Sequence, residues 1–181
     1  MCSWEESSRS RRPMTDSGWR DFFRSFDGAL NDTARAVLGE HSVRIRRAIE
    51  ELDAIMDRYC AQTCPWCRDP CCAALRVAYN LNDMVYLFGL GVALPVGQTR
   101  QHHGAPCRYW LSSGCALPRI LRPYVCTWFF CEPHMERFFR EPARFQRHII
   151  GTLQEIRRLR TAMLAFAAPY LPAPWSEDVA P

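Results

Sequence analysis

The stretch CAQTCPWCRDPCC, residues 60–72, puts five cysteines at the spacing C-x3-C-x2-C-x3-C-C. A second group follows at Cys107, Cys115, Cys126 and Cys131, spaced C-x7-C-x10-C-x4-C, so nine of the ten cysteines lie between residues 60 and 131. Thiolates suit soft and borderline metals, and a C-x2-C pair such as Cys64-Pro-Trp-Cys67 can turn back so that both sulfurs reach one ion or one cluster edge. Two such groups predict a metal site closed between them, with the flanking chain as scaffold.

The flanks read as helices. Trp19, Phe22, Phe23, Phe26 and Leu30 recur at spacings of three and four, an amphipathic helix from Ser17 whose aromatic stripe is expected on the protein's own core rather than on a partner or membrane. Val43, Ile45, Ala48, Ile49, Leu52, Ile55, Met56 and Tyr59 form the face of a second helix, opposite Arg44, Arg46, Arg47, Glu50 and Glu51, and this helix delivers the chain to Cys60. Beyond the cysteines, Pro133 to Phe139 predicts one or two helical turns. Glu141-Pro142 then opens a long helix striped by Phe145, Ile149, Leu153, Ile156, Leu159, Met163 and Phe166. Arg157, Arg158 and Arg160 near its end are expected on a solvated face.

Between the flanks, Leu75 to Tyr79 is expected as a short strand. Asn80 with Asp83 reads as a capping pair for a helix through Phe88, a role favoured for Asp83 over catalysis. Gly89-Leu-Gly91, with Pro95 and Gly97, ends that helix. These glycines lack the strand-turn-helix setting of a phosphate-binding loop. Arg108-Tyr109-Trp110 and Cys115-Ala116-Leu117 are expected to pair as a small hairpin across Ser112-Ser113-Gly114.

Totals narrow the class. A chain of 181 residues that is 48% hydrophobic carries one domain with a real core, so the cysteines need not replace one. All 23 basic residues are arginine, and a net charge of +4 gives little support for a nucleic-acid partner. Met1 to Pro13 holds no apolar run, and the apolar segment Met84 to Leu94 is about half the roughly 20 residues a spanning helix requires. The expectation is a cytoplasmic protein without a membrane span, its thiols reduced.

Several readings of the cysteines compete. A redox C-x-x-C at Cys64 and Cys67 lacks the βαβ context that such dithiols use, and leaves seven neighbouring cysteines unexplained. Cys71-Cys72, taken as extended, point to opposite faces, which suits two neighbouring centres better than one ion. Setting aside Cys2 and Cys60, eight cysteines remain, enough for two four-thiolate sites or for one cluster plus a second metal. His134, three residues after Cys131, is an alternative ligand that would complete a site of three cysteines and one histidine. His102-His103 is expected in an exposed loop. A Cys–His134 nucleophile oriented by Glu132 rests on proximity in sequence alone.

Cys64-x2-Cys67-x3-Cys71-Cys72, the run from Cys107 to Gly114-Cys115-Ala-Leu117, and Arg122-Pro123-x2-Cys126 with Cys131 resemble the YkgJ-like cysteine-cluster family, named for a C-x2-C-x2-C-C signature and for zinc or iron chelation. The likeness covers residues 60–131. It implies the ligands Cys64, Cys67, Cys71, Cys72, Cys107, Cys115, Cys126 and Cys131. Arg68-Asp69-Pro70 puts three residues where the family has two, so Cys60 stands as an alternative to Cys64 or Cys67. The family includes a longer flagellin lysine methylase, but this chain shows no methyl-donor fingerprint, so methyl transfer is not implied. Arg122 can neutralise a site bearing several thiolates, and Pro123 stiffens the approach to Cys126.

The fold expected is therefore mainly α, with long N- and C-terminal helices around a cysteine-rich metal-binding core of loops and a small β-hairpin. The cysteine-cluster domain spans residues 15–168, between a disordered arm at 1–14 and a loose tail at 169–181. The function expected is chelation of zinc or iron, as an ion or an iron-sulfur cluster, with a redox or electron-transfer role open to the cluster. The alternative is a zinc-stabilised adaptor without catalytic activity, binding protein or nucleic acid through Arg157, Arg158 and Arg160.

Overall fold

A computed structural model describes residues 15–68, 70–74, 77–102 and 104–173. Thr15 caps the first helix, its hydroxyl accepting from Gly18 N at 3.1 Å, and α1 runs Asp16–Ala29. Its stripe of Trp19, Phe22, Phe23 and Phe26 is buried on the protein's own core, as expected, and the Trp19 indole N–H donates to Pro95 O at 3.0 Å. Asn31 caps α2, Asp32–Thr63, a helix about 48 Å long at 1.5 Å per residue. Leu38, Ile45, Ile49, Leu52, Met56 and Tyr59 lie on its buried face, while Val43 is exposed.

Two helices complete the core with α2. The first, α4, Leu81–Gly89, opens with the expected capping box: Asn80 Oδ1 accepts from Asp83 N, and an Asp83 carboxylate oxygen accepts from Asn80 N, both at 3.0 Å. The other, α7, Ala143–Ala167, starts one residue after Pro142 and buries Ile149, Ile156, Leu159, Met163 and Ala167. Each large side chain withdrawn here from water contributes about 2 kcal/mol. Gly89 lets α4 approach α2 closely, because a Cβ there would fall on Ser42 Oγ and 2.8 Å from Leu38 O.

Arg160 departs from the expected solvated face. It is buried, and its guanidinium meets the equally buried Asp83 carboxylate at 2.6 Å while lying 4.6 Å from the centroid of the Tyr124 ring. The reason is helical register: residues 156, 160, 163 and 167 share one face of α7, and only the partner on α4 makes an arginine tolerable there. Arg157 and Arg158 are exposed, and Arg158 pairs with Glu155 at 2.6 Å.

The segment expected as a strand from Leu75 loses Leu75 and Arg76 to the undescribed residues, and 77–79 form no strand. The Gln98 side chain instead satisfies Tyr79, accepting from its N–H at 2.9 Å and donating to its O at 2.7 Å. Cys71 and Cys72 are not extended either: they begin a short helix, α3, Cys71–Ala74. The hairpin forms, with β1 Trp110–Leu111 antiparallel to β2 Gly114–Cys115 in the register Trp110↔Cys115 and Leu111↔Gly114. Its turn is Ser112-Ser113, and Gly114 opens β2 at φ 130, where a side chain is disfavoured.

A 3₁₀ turn at Arg119–Leu121 leads to α5, Val125–Trp128, and then to α6, Glu132–Arg140. After α7 a 3₁₀ turn at Ala168–Tyr170 seats Leu171 in the core. The expected arm at 1–14 lies outside the described residues, as does the end of the expected tail from 174. The protein is thus mainly helical with one small antiparallel hairpin. Among the described residues no helix is long and apolar enough to cross a membrane.

Candidate metal centre

The last turn of α2 carries Cys60, and the chain stays helical through Thr63, so Cys64 follows at i+4 with its N–H bonded to Cys60 O. Positions i and i+4 share a helix face, which puts the two thiols side by side. Across from them, α6 begins with Cys131 at its N-cap and presents His134 from its first turn, 6% exposed. The Cys60 and Cys64 sulfurs and a His134 ring nitrogen all lie within 4.8 Å of one another. Donors around a tetrahedral zinc ion stand about 3.8 Å apart, so small side-chain movements would close the site.

The hydrogen bonds around His134 define its state. Thr63 donates its one hydroxyl hydrogen to Tyr59 O at 2.8 Å, so at 2.7 Å from His134 Nε2 it accepts. That network places the proton on Nε2, and Nδ1 is buried with no hydrogen-bond partner. Burial, then the charges of Arg119 and Arg137, hold the imidazole below its ordinary pKa and so in the neutral form that ligates metals. Glu132 is exposed, and the partner seen at His134 is Thr63, so the orienting role proposed for Glu132 in a nucleophilic pair gains no support.

The thiols polarise each other. A hydrogen bond from Cys64, aided by Arg119 and Arg122, pulls the Cys60 thiol down to about 6, and the same bond pushes Cys64 up. Arg119 escaped the sequence reading. It is 3% exposed, with Nε 3.2 Å from Asp53 Oδ1 and Nη2 2.6 Å from Asp57 Oδ1. Asp53, Asp57 and Cys60 follow at helical spacing on α2. Two carboxylates on one stripe with a cysteine were the signal that a cation comes in from elsewhere. Arg122, given the neutralising role from sequence, donates from Nε to Leu117 O at 2.9 Å and adds its charge at Cys60 and Cys72.

Cys72, Cys107, Cys115 and Cys126 act on one another through their charges, but no three of them bring donors within 4.8 Å of each other. Cys107 N–H donates to Cys72 O at 3.0 Å, tying α3 to the segment that leads into β1. Cys126 on α5 is pushed up mainly by burial and then by the charges of Cys72, Cys115 and Cys107. Cys71 and Cys72 share a hydrogen bond that lowers the first and raises the second, so their sulfurs are neighbours on a helical turn rather than on opposite faces. The charges of Cys126, Cys131 and Cys64 all act on Cys71. Cys67 is exposed at the end of the 3₁₀ turn Cys64–Trp66, its N–H bonded to Cys64 O at 3.2 Å. His102 is exposed, and His103 lies outside the described residues. All nine described cysteines are free thiols.

No protein-family model, curated protein or solved structure matches the chain.

Proposed function

We propose that this protein binds zinc or iron through its cysteine-rich core, as an ion or an iron-sulfur cluster, and works in a cytoplasmic, reducing setting. The observation that carries this reading is the approach of Cys60, Cys64 and His134 to within 4.8 Å, on two separate helices. The nine free thiols and the likeness of residues 60–131 to the YkgJ-like cysteine-cluster family support it. Bound zinc makes the protein a structural or regulatory binding module, whereas an iron-sulfur cluster opens electron transfer. The adaptor reading keeps only Arg157 and Arg158 of its three arginines, because Arg160 is engaged with Asp83 inside the core.

Anaerobic purification followed by metal analysis and an absorption spectrum tests the proposal. Colourless protein with stoichiometric zinc identifies the binding module, and brown protein with iron and acid-labile sulfide identifies the cluster. Protein that takes up neither metal under reducing conditions refutes the reading.

A further inference from the structure

We propose that Cys60, Cys64, Cys131 and His134 form one closed tetrahedral site for a single zinc-class ion, separate from the sulfurs of Cys72, Cys107, Cys115 and Cys126. This assignment rests on the metal-binding reading above and goes beyond it in naming the ligands, the fourth donor and the class of ion. It also exchanges Cys67, which the family signature would use, for Cys60.

Three donors are already together. The fourth, Cys131, stands outside that 4.8 Å group and is drawn from the geometry of a helix start. Cys131 is the N-cap of α6 and His134 is three residues on, the two positions whose side chains face each other in a capping box. The Cys131 side chain makes no capping hydrogen bond, and its charge is among those acting on Cys64. The ligands are therefore two pairs, C-x3-C closing α2 and C-x2-H opening α6. Each pair is rigid through its own helix.

The two helices are held in register without the ion. Thr63 bonds His134 at 2.7 Å, and Arg137 Nη1 donates to Gln62 Oε1 at 2.7 Å, so the end of α2 and the start of α6 are pinned on both sides of the ligands. The rings of Tyr59 and Phe130 lie 5.9 and 6.3 Å from the His134 ring and give that edge of the site an apolar wall. Charge also fits. Three thiolates and a divalent ion leave one negative charge, beside the buried Arg119 guanidinium and the positive N-terminal end of α6. Mixed nitrogen and sulfur donors favour zinc over harder ions. Cys67 is exposed, as Cys64 is, but brings no sulfur to this group.

Cobalt(II) titration of the reduced, metal-free full chain tests the assignment, with zinc competition to read affinity. The expected result is a tetrahedral cobalt spectrum from this site that zinc displaces. Cys60→Ala, Cys131→Ala and His134→Ala each weaken zinc binding there by about 100-fold or more, and Cys67→Ser leaves it unchanged. His134→Cys and Cys131→His guard against simple misfolding: each keeps a four-donor site, and the sulfur-to-cobalt charge-transfer intensity rises with the first and falls with the second. The assignment is overturned if Cys131→Ala keeps the spectrum and affinity, or if Cys67→Ser loses them. A wild-type chain that binds no metal brings down the proposed function as well. Metal that survives loss of Cys60, Cys131 and His134 yet disappears with Cys72→Ala or Cys126→Ala leaves the function standing and removes only this assignment.

Discussion

The two ends of α2 sit in different kinds of structure. Toward its N-terminus, α2 packs with α4 and α7 in a core of Leu38, Ile45, Ile49, Leu52, Met84, Leu87, Ile156 and Met163, closed by the buried pair Asp83–Arg160. Toward its C-terminus it meets the turns at Cys64–Trp66 and Arg119–Leu121 and helix α6, and the short pieces α3, the hairpin and α5 carry further free thiols. Apolar burial stabilises the first region by itself. The second buries Tyr109 but packs Leu117, Ile120, Leu121 and Tyr124 only in part, so its order should depend more on what the thiols hold.

The largest expected effect comes from removing metal. Chelation under reducing conditions should leave amide protection in α4 and α7 nearly intact and collapse it across residues 60–72 and 107–131, because ion binding there is folding energy, on the order of 10 kcal/mol for structural zinc. Hydrogen exchange followed by mass spectrometry reads this directly. Uniform loss over the whole chain would erase the distinction between the two regions.

Next in size is the core's own polar contact. Asp83→Ala leaves Arg160 buried and unpaired, and should cost about 3–5 kcal/mol in denaturant unfolding, as for one partner of a buried pair. Joint replacement with Asp83→Leu and Arg160→Met should cost much less. A loss below about 1 kcal/mol for the single variant would mean that the pair is solvated in solution.

Gly89→Ala should destabilise by about 1–3 kcal/mol through overpacking of α4 on α2. Only part of that should return with Ser42→Gly, because Leu38 O still stands 2.8 Å from the new Cβ. Metal content should stay that of the wild type, and a fall in it would couple the two regions.

The smallest effect concerns reactivity. In metal-free protein Cys60 is a thiolate above about pH 6, so its alkylation by iodoacetamide should hold a plateau at neutral pH and decline as pH falls through that value. Arg119→Met removes a positive charge that favours the thiolate, and should move the decline to higher pH. An unmoved profile would leave the Cys64 hydrogen bond and the charge of Arg122 as the causes.

Much of the core was legible because it obeys a period. The stripes of α1, α2 and α7, the Asn80–Asp83 capping box and the turn at Ser112-Ser113 each follow from neighbours within a few residues. Arg160 was misplaced because its partner lies 77 residues away, and charge in sequence does not reveal burial. At the cysteines, the spacing signature favoured Cys64 with Cys67, whereas helix α2 runs on through Thr63 and pairs Cys64 with Cys60. Treating Cys71-Cys72 as extended led to opposite faces, and a helical turn removes that premise. Neither Arg119 nor Thr63 belongs to any cysteine motif, and both were found only once the chain had folded back on α2.

The continuity of α2 carries one more consequence. Cys60 lies in the last turn of the helix that fills the core and Cys64 caps it, so ligand occupancy is thermodynamically linked to the fraying of that end. With free ion at about 100 times its dissociation constant, that linkage contributes about 2.7 kcal/mol to the folded state. The melting of the cysteine-rich region would then track the free-metal concentration around it, while the core of α4 and α7 would not.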